Sequence, residues 1–191
     1  PPPYVAPAPP SPPPPPSPPP PPPAPPLATM TEVAAIGAEL SSTPPTSISG
    51  GEFPASNAID GDVSTLAASG LEDNAWLSVQ LGSSQRISYV AVYNRGDSPA
   101  YQAWLSPFEV FVGTSYGDLG VACSPRAMTV PVGAGPFLVN CGGTTAGTFV
   151  TLRLAGPRSG DRYLTIGELK AFTTDAAPPP PPPQPSPVSP P

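Results

Sequence analysis

The stretch Ile87-Ser-Tyr-Val-Ala-Val-Tyr-Asn94 indicates the fold of this chain. Ser88, Val90, Val92 and Asn94 alternate with the residues between them, and a period of two residues is typical of a β-strand. Similar short runs occur at residues 77–81, 108–112, 150–154 and 164–166, separated by clusters of Gly, Ser, Pro and Asp. One short helical turn is expected near residues 55–58. Several strands without a strong helix predict an all-β jelly roll or sandwich.

Proline is concentrated at the two ends of the sequence. Residues 1–26 hold 19 of the 38 prolines and residues 178–191 hold ten. Proline fixes φ and lacks an N–H group, so these segments cannot form a helix or a sheet ladder. We expect polyproline II rods that extend about 3.1 Å per residue. The predicted organisation is a rod at residues 1–26, a β-domain at residues 27–177 and a second rod at residues 178–191.

Composition excludes several classes of function. The chain has seven basic and thirteen acidic residues, which is the wrong balance for binding a nucleic-acid backbone. No apolar run approaches the ~20 residues that span a bilayer. Histidine is absent, so the chain has no Ser-His or Cys-His nucleophile pair, and we expect a protein that is not an enzyme.

Cys123 and Cys141 are the two cysteines of the sequence. An even pair favours a disulfide, and closing a loop of this length contributes about 3 kcal/mol in the chain-entropy model. Two buried free thiols are the alternative. The proline-rich rods indicate an extracellular and therefore oxidising setting, which favours the disulfide.

A family resemblance begins at Ala55-Ser-Asn-Ala-Ile-Asp-Gly-Asp-Val-Ser-Thr65. It continues through Asn74-Ala-Trp-Leu-Ser-Val-Gln-Leu-Gly82, the segment from Arg86 to Asp97, Phe108-Glu-Val-Phe-Val-Gly113 and Tyr163-Leu-Thr-Ile-Gly-Glu-Leu-Lys-Ala-Phe172. In this order the motifs resemble the discoidin, or coagulation-factor C-type, domains. This group has a galactose-binding-like jelly roll and includes F-type lectins and many carbohydrate-binding modules.

The resemblance implies a calcium site. By position, Asp60 and Glu168 would supply carboxylate oxygens, and Thr65 its hydroxyl and carbonyl. Backbone carbonyls would come from Asn57, Asp62 and Gly167. Calcium takes six to eight hard oxygen ligands, and this set is of that kind. The alternative is that residues 60–62 form only a turn and that Glu168 is a charge on the sheet face.

The resemblance also implies a sugar site beyond the strand ends. F-type lectins hold fucose with a histidine and two basic residues; here the histidine is missing, Arg95 matches one basic position and the other falls near Gln102. Tyr101 and Trp104 lie in the same loop and are candidates for stacking on a sugar face, or alternatively for packing on the rim of the sandwich. Asp97 completes the candidate site. Arg95-Gly96-Asp97 also spells an integrin-binding tripeptide, but the family pattern explains it without an integrin, and we expect Arg95 to pair with Asp97.

The terminal Ser-Pro tracts resemble the hydroxyproline-rich glycoproteins of volvocine algal walls and flagellar surfaces. That resemblance implies prolyl hydroxylation and short O-linked sugars. The candidate positions are Pro12, Pro13, Pro14, Pro15, Pro16, Pro18, Pro19, Pro20, Pro21, Pro22, Pro23, Pro179, Pro180, Pro181, Pro182 and Pro183. An unmodified linker is the alternative.

These features together predict an extracellular structural glycoprotein in a cell wall, a matrix or a cell or flagellar surface. In this hypothesis the chain is a subunit of a filamentous assembly, and its module contacts glycans or the glycosylated polyproline rods of neighbouring chains. The alternative function is a carbohydrate-binding lectin that uses the proline-rich segments as spacers.

Overall fold

Strands dominate the part of the chain that the computed structural model describes, which is residues 26–43, 53–157 and 160–174. The strands are β1 (Thr31–Val33), β2 (Ala35–Leu40), β3 (Ala67–Ala68), β4 (Trp76–Arg86), β5 (Tyr89–Tyr93), β6 (Phe108–Gly113), β7 (Val121–Ala122), β8 (Phe137–Asn140), β9 (Ala146–Leu154), β10 (Thr165–Ile166) and β11 (Glu168–Thr173). Four residues form helix α1 (Pro99–Gln102), and 3-10 turns occupy Leu27–Thr29, Ala55–Ala58 and Ala103–Leu105. The all-β prediction and the helical turn at residues 55–58 are confirmed. The predicted C-terminal rod, nearly all of the N-terminal rod and every hydroxyproline candidate lie outside the described residues.

Two antiparallel sheets pack face to face. The four-stranded sheet has the order β1-β11-β5-β8, and the five-stranded sheet has the order β2-β4-β9-β6-β7. A short ladder pairs β10 with β3. This arrangement of sheets is the predicted sandwich.

The core lies between the inner faces of the two sheets. Val90 and Val92 of β5 face Leu77 and Val79 of β4 across it, and all four side chains are buried. Each apolar side chain of this size contributes roughly 1.5–3 kcal/mol when fully buried. The alternation in the sequence therefore identified the inner face of the sheet correctly.

The structure differs from the sequence-based prediction at two places. The segment 163–172, expected to be one closing strand, divides at Gly167 into β10 and β11. A Cβ at Gly167 would lie 3.0 Å from Val63 O and 3.2 Å from Asn94 O, so two other loops crowd the backbone there. The alternation groups Ile87 with Tyr89 on one face of the strand, but Ile87 is fully buried in the core because β5 begins only at Tyr89.

The predicted disulfide between Cys123 and Cys141 is confirmed. Cys123 N donates to Val110 O at 2.8 Å, and Cys141 N donates to Ser88 O at 2.8 Å. The bond therefore ties a segment that pairs with β6 in the five-stranded sheet to a segment beside β5 in the four-stranded sheet.

The two ends of the described chain lie at one end of the four-stranded sheet. Thr31 of β1 is the register partner of Thr173 of β11. At the other end of the sheet, Glu168 pairs with Tyr93, the last residue of β5. Arg95 and the loop that follows it are therefore at the end of the sheet opposite to the chain ends.

Candidate functional site

An arginine–carboxylate pair marks the loop that follows β5. Arg95 Nε donates to Asp97 Oδ1 and Arg95 Nη2 donates to Asp97 Oδ2, both at 2.6 Å. The Arg95 side chain is 12% exposed and that of Asp97 is 54% exposed. The hydrogen bond from Arg95 is the largest cause that lowers the pKa of the Asp97 carboxyl. The expected pairing is confirmed, and it gives the surface an ionised carboxylate that is held in a fixed orientation.

Aromatic rings cover the guanidinium. The Arg95 Cζ atom lies 4.6 Å from the ring centroid of Tyr101 and 5.8 Å from that of Trp104. Tyr101 and Trp104 are 4.7 Å apart at their centroids, and Tyr163 packs on the other side of Trp104 at 5.4 Å. Tyr101 is 43% exposed, and Trp104 and Tyr163 are partly exposed. Two rings of this loop and one from the segment before β10 thus form a row beside a charged pair.

Tyr163 was not among the residues singled out in the sequence. It is 59 positions from Trp104, and no motif links the two residues. The fold brings them together because Arg162, its neighbour, is anchored beneath the same loop.

Arg162 holds the base of the aromatic loop. It is 8% exposed, and its Nε donates to Trp104 O at 2.8 Å. Its Nη1 donates to Ala155 O at 2.9 Å and its Nη2 to Pro107 O at 2.6 Å. Burial lowers the pKa of the guanidinium. The buried guanidinium therefore donates to three backbone carbonyls, which lie on two separate segments of the chain.

Two buried amides brace the same loop. Asn94 is 1% exposed; its Nδ2 donates to Gln102 O at 2.9 Å and to Gly133 O at 3.1 Å, and its Oδ1 accepts from Arg95 N at 2.9 Å. Gln102, a candidate sugar contact, is itself 8% exposed and donates from Nε2 to Arg95 O at 3.0 Å. The structure places Gln102 beneath the loop, where it fixes the backbone of Arg95.

A depression of about 350 Å³ adjoins Trp104. Ser106, Pro107, Ala155 and Arg162 contribute to its lining. The depression therefore lies directly beside the three aromatic rings.

The predicted metal-ligand residues also come together. Thr65 Oγ1 lies 2.8 Å from Asp60 Oδ2, 2.9 Å from Asp62 O and 3.3 Å from Asn57 O. A hydroxyl group has a single hydrogen to donate, so it cannot satisfy three acceptors at once. Four converging hard oxygens with one shared hydrogen are a donor set that suits calcium.

Glu168 approaches the same loop from β11. Its Oε2 accepts from Gly61 N at 3.2 Å, and the residue is 3% exposed. Burial is the largest cause that raises the pKa of this carboxyl, and the negative charge of Asp60 raises it further. A cation between the two acids would relieve both effects.

A metal ion bound here would take many of its ligands from backbone oxygens. Within residues 26–43, 53–157 and 160–174, no three His, Cys, Asp or Glu side chains converge as a metal cluster. The carbonyls of Asn57, Asp62 and Gly167 would therefore have to supply a large part of the coordination. Gly167 contacts this loop, which we call the metal loop (residues 57–65), and it also contacts the end of β5. The metal loop therefore adjoins the loop after β5 that carries Tyr101 and Trp104, which we call the aromatic loop.

No helix in the described part of the chain has the length and apolarity needed to cross a bilayer.

Comparison with known proteins gives one family match. The model of an F5/F8 type C family, described as NedA-like, galactose-binding domain, matches residues 57–152, which is about half of the 191 residues. No curated protein sequence matches the chain.

Solved structures with the same fold include lectin domains and carbohydrate-binding modules. The chain is 26% identical to the lectin binding domain of lectinolysin, a histidine mutant complexed with Lewis b, with a TM-score of 0.54 and coverage of 71% of this chain and 90% of that one. It is 23% identical to a fucolectin from striped bass (Morone saxatilis) serum, with a TM-score of 0.57 and coverage of 72% and 45%. A family 32 module from C. perfringens NanJ in complex with galactose is 20% identical, with a TM-score of 0.57 and coverage of 75% and 100%.

Proposed function

Because this chain belongs to the F5/F8 type C family of NedA-like, galactose-binding domains, we propose that it is a carbohydrate-binding protein that acts as a lectin. The observation that carries the proposal is the row formed by Tyr101, Trp104 and Tyr163 beside the Arg95–Asp97 pair. Structural neighbours named as lectins and carbohydrate-binding modules support this function over that of a fibre subunit.

The chemistry of the site suits a neutral sugar. A pyranose offers an apolar C–H face, which packs on aromatic rings, and hydroxyl groups that need directed partners. The exposed Asp97 carboxylate accepts from two adjacent hydroxyls, while the guanidinium of Arg95 keeps it ionised and oriented. The rings of Tyr101 and Trp104 supply the stacking surface.

The site lies at the end of the four-stranded sheet opposite to the two ends of the described chain. Arg95 follows the Tyr93 end of β5, and the described chain begins and ends near the Tyr89 end. In our proposal the proline-rich segments therefore act as spacers, and the aromatic loop faces outward from them.

A glycan-binding measurement tests this function. We expect the full chain to bind immobilised glycans that end in galactose or fucose, the sugars of the structural neighbours. Trp104→Ala should weaken binding about 30-fold, the loss that accompanies removal of an aromatic anchor of about 2 kcal/mol. Tyr89→Ala, at the opposite end of the same sheet, serves as the control and should bind normally. Equal binding by both variants would contradict this location for the site.

Calcium is proposed as the structural cofactor of the adjoining loop. Asp60, Thr65 and Glu168 would hold it together with carbonyls of the predicted set, and the ion would fix the loop by joining two like-charged acids. Calcium at a hundredfold excess over its Kd would stabilise the fold by about 2.7 kcal/mol.

A thermal melt in calcium and in chelator measures this directly. We expect the midpoint to rise by about 5–10 °C with calcium. Glu168→Gln should abolish the response, while Glu39→Gln, an exposed acid on β2, should keep it. An unchanged midpoint in the unmodified chain would remove calcium from the proposal.

A non-catalytic, extracellular role follows from the same reasoning. The disulfide favours an oxidising compartment. The charged groups of the site, Arg95 and Asp97, are paired with each other, an arrangement suited to binding.

The fibre subunit remains a second proposal because of the terminal sequence. Residues 1–26 and 178–191 hold 19 and ten of the 38 prolines, and hydroxylated, glycosylated rods would serve a wall or surface assembly. Mass spectrometry of the native chain distinguishes the two proposals. Hydroxyl plus pentose increments on the terminal peptides would favour the fibre, and unmodified prolines would remove it.

A further inference from the structure

The outer face of the four-stranded sheet carries an apolar surface that ends at Tyr93, two residues before Arg95. Tyr89, Ala91 and Tyr93 of β5 point away from the core, since Val90 and Val92 point into it. Phe172 of β11 lies opposite Tyr89, and Leu138 of β8 lies opposite Ala91. These five residues, Tyr89, Ala91, Tyr93, Leu138 and Phe172, are here called the tyrosine face.

The tyrosine face has the form of a shallow trough. Ala91 is fully buried and Phe172 is 5% exposed, while Tyr89, Tyr93 and Leu138 are partly exposed. On the β1 side the trough is bordered by an ion pair, with Lys170 Nζ at 3.3 Å from Glu32 Oε1. Lys170 is the register partner of Ala91 and Glu168 is that of Tyr93, so two charged residues of β11 lie on this same outer face beside the five.

The outer face of the other sheet shows a different arrangement. There the ring of Tyr116 packs edge-on against Phe149 at 4.8 Å, and a Cβ at Gly117 would lie 2.7 Å from the ring of Trp76. The loop between β6 and β7 therefore covers the aromatic side chains of the five-stranded sheet. The tyrosines of the four-stranded sheet remain in contact with solvent.

We propose that the tyrosine face binds a run of prolines from a second copy of this chain. Grooves lined by aromatic residues bind polyproline II segments, whose pyrrolidine rings pack on the aromatic rings. The segment has no internal hydrogen bonds, so its carbonyls are free to accept from tyrosine hydroxyls. This interaction goes beyond the carbohydrate function and uses neither the aromatic loop nor the metal loop.

The dimensions of the two partners agree. Tyr89 and Tyr93 are four residues apart on a strand, which is about 13 Å at about 3.3 Å per residue. Four to five residues of polyproline II span the same length at about 3.1 Å each. The sequence has uninterrupted proline runs of this length or longer at residues 12–16, 18–23 and 178–183.

The direction of the strands favours a second copy over the chain's own C-terminal run. β11 runs from the Tyr93 end of β5 to the Tyr89 end, and Thr174 hydrogen-bonds to Ser88 at 3.0 Å. To lie along its own tyrosine face, residues 178–183 would have to reverse direction within residues 175–177. A run from another molecule needs no such reversal.

Sedimentation analysis of the full chain over a range of concentrations tests the proposal. We expect reversible self-association that Tyr89→Ser/Tyr93→Ser weakens at least tenfold, since aromatic anchors dominate such contacts. Tyr101→Ser, a substitution of an exposed tyrosine in the sugar loop, is the matched control and should leave association unchanged. A synthetic peptide of residues 178–191 should compete with association, and a peptide with alanine in place of each proline should not.

Several results would overturn the proposal. They are a chain that stays monomeric at its highest soluble concentration, association that both tyrosine variants retain, and association that the proline peptide does not reduce. If the double variant unfolds, Tyr89→Ser alone decides the question, with its thermal midpoint as the check on folding. Glycan binding is measured separately. A chain that binds no glycan could still self-associate through the tyrosine face, and a chain that does not self-associate could still bind glycan.

Discussion

Replacement of Arg162 by methionine should both destabilise the fold and weaken glycan binding. The side chain is 8% exposed and donates to the carbonyls of Trp104, Pro107 and Ala155. Methionine keeps much of the apolar volume and removes all three donors. Each lost bond costs about 1–1.5 kcal/mol net, and three together cost about 3–4.5 kcal/mol.

A smaller term opposes this loss. Burial lowers the pKa of the Arg162 guanidinium, which shows that the folded state carries a desolvation cost that methionine would remove. We therefore expect a net destabilisation of about 3 kcal/mol, or a fall of about 6–12 °C in Tm for a domain of this size. Arg162→Lys keeps the charge but cannot reach three carbonyls from one nitrogen. Its unfolding free energy should therefore lie between those of the unmodified chain and Arg162→Met.

Urea unfolding followed by tryptophan fluorescence measures the free energy, and glycan titration measures the site. Arg126→Met, at an exposed arginine, is the control and should change stability by less than about 0.5 kcal/mol. The reasoning fails if Arg162→Met unfolds at the same urea concentration as the unmodified chain. It fails also if the variant is destabilised but binds glycan as before, because Trp104 would then be positioned by other contacts.

Three further predictions concern the supports of the fold and the site. Replacing Cys123 and Cys141 together by serine should lower the unfolding free energy by about 3 kcal/mol, as measured by urea unfolding, because the bond closes a loop with a sequence separation of 18. Asn94→Ala should cost about 2–3 kcal/mol and reduce glycan affinity, since two hydrogen bonds to the loop after β5 and one to Gly133 are lost; calorimetric titration with normal affinity would contradict this. The pKa of Asp97 is lowered in the folded state, so its contribution is present above the ordinary value of 3.8 and is lost as pH falls through the lowered pKa. As pH falls through this range, the unfolding free energy of the unmodified chain should decrease relative to that of Asp97→Asn. If the two curves of unfolding free energy against pH run parallel, the Arg95 contact adds nothing to stability.

The strands were predictable because burial on one face imposes a period of two on the sequence. Val90 and Val92 alternate with Tyr89, Ala91 and Tyr93, and the structure places the valines in the core. The close approach at Gly167 was not predictable, because the carbonyls of Val63 and Asn94 that a Cβ there would meet are remote in sequence.

The site was predictable only in part. Arg95, Asp97, Tyr101 and Trp104 occupy one loop, so their proximity could be expected from the sequence. Gln102 lies in the same loop but turns inward, because a helical turn gives its neighbours opposite orientations. The sequence shows that residues of one loop lie close together, but it does not show in which direction each side chain points.

By itself, the sequence determined the all-β class, the position of the core strands and the separation of a proline-poor β-domain from proline-rich ends, because hydrophobic periodicity and the fixed φ of proline act over a few neighbouring residues. Tertiary structure decided which distant groups meet. It brought Tyr163 to Trp104, Arg162 beneath their loop, Glu168 to Gly61 and the chain ends to the side opposite Arg95. The reason is that these contacts join residues at least 58 positions apart, and no local pattern in the chain specifies which distant residues meet.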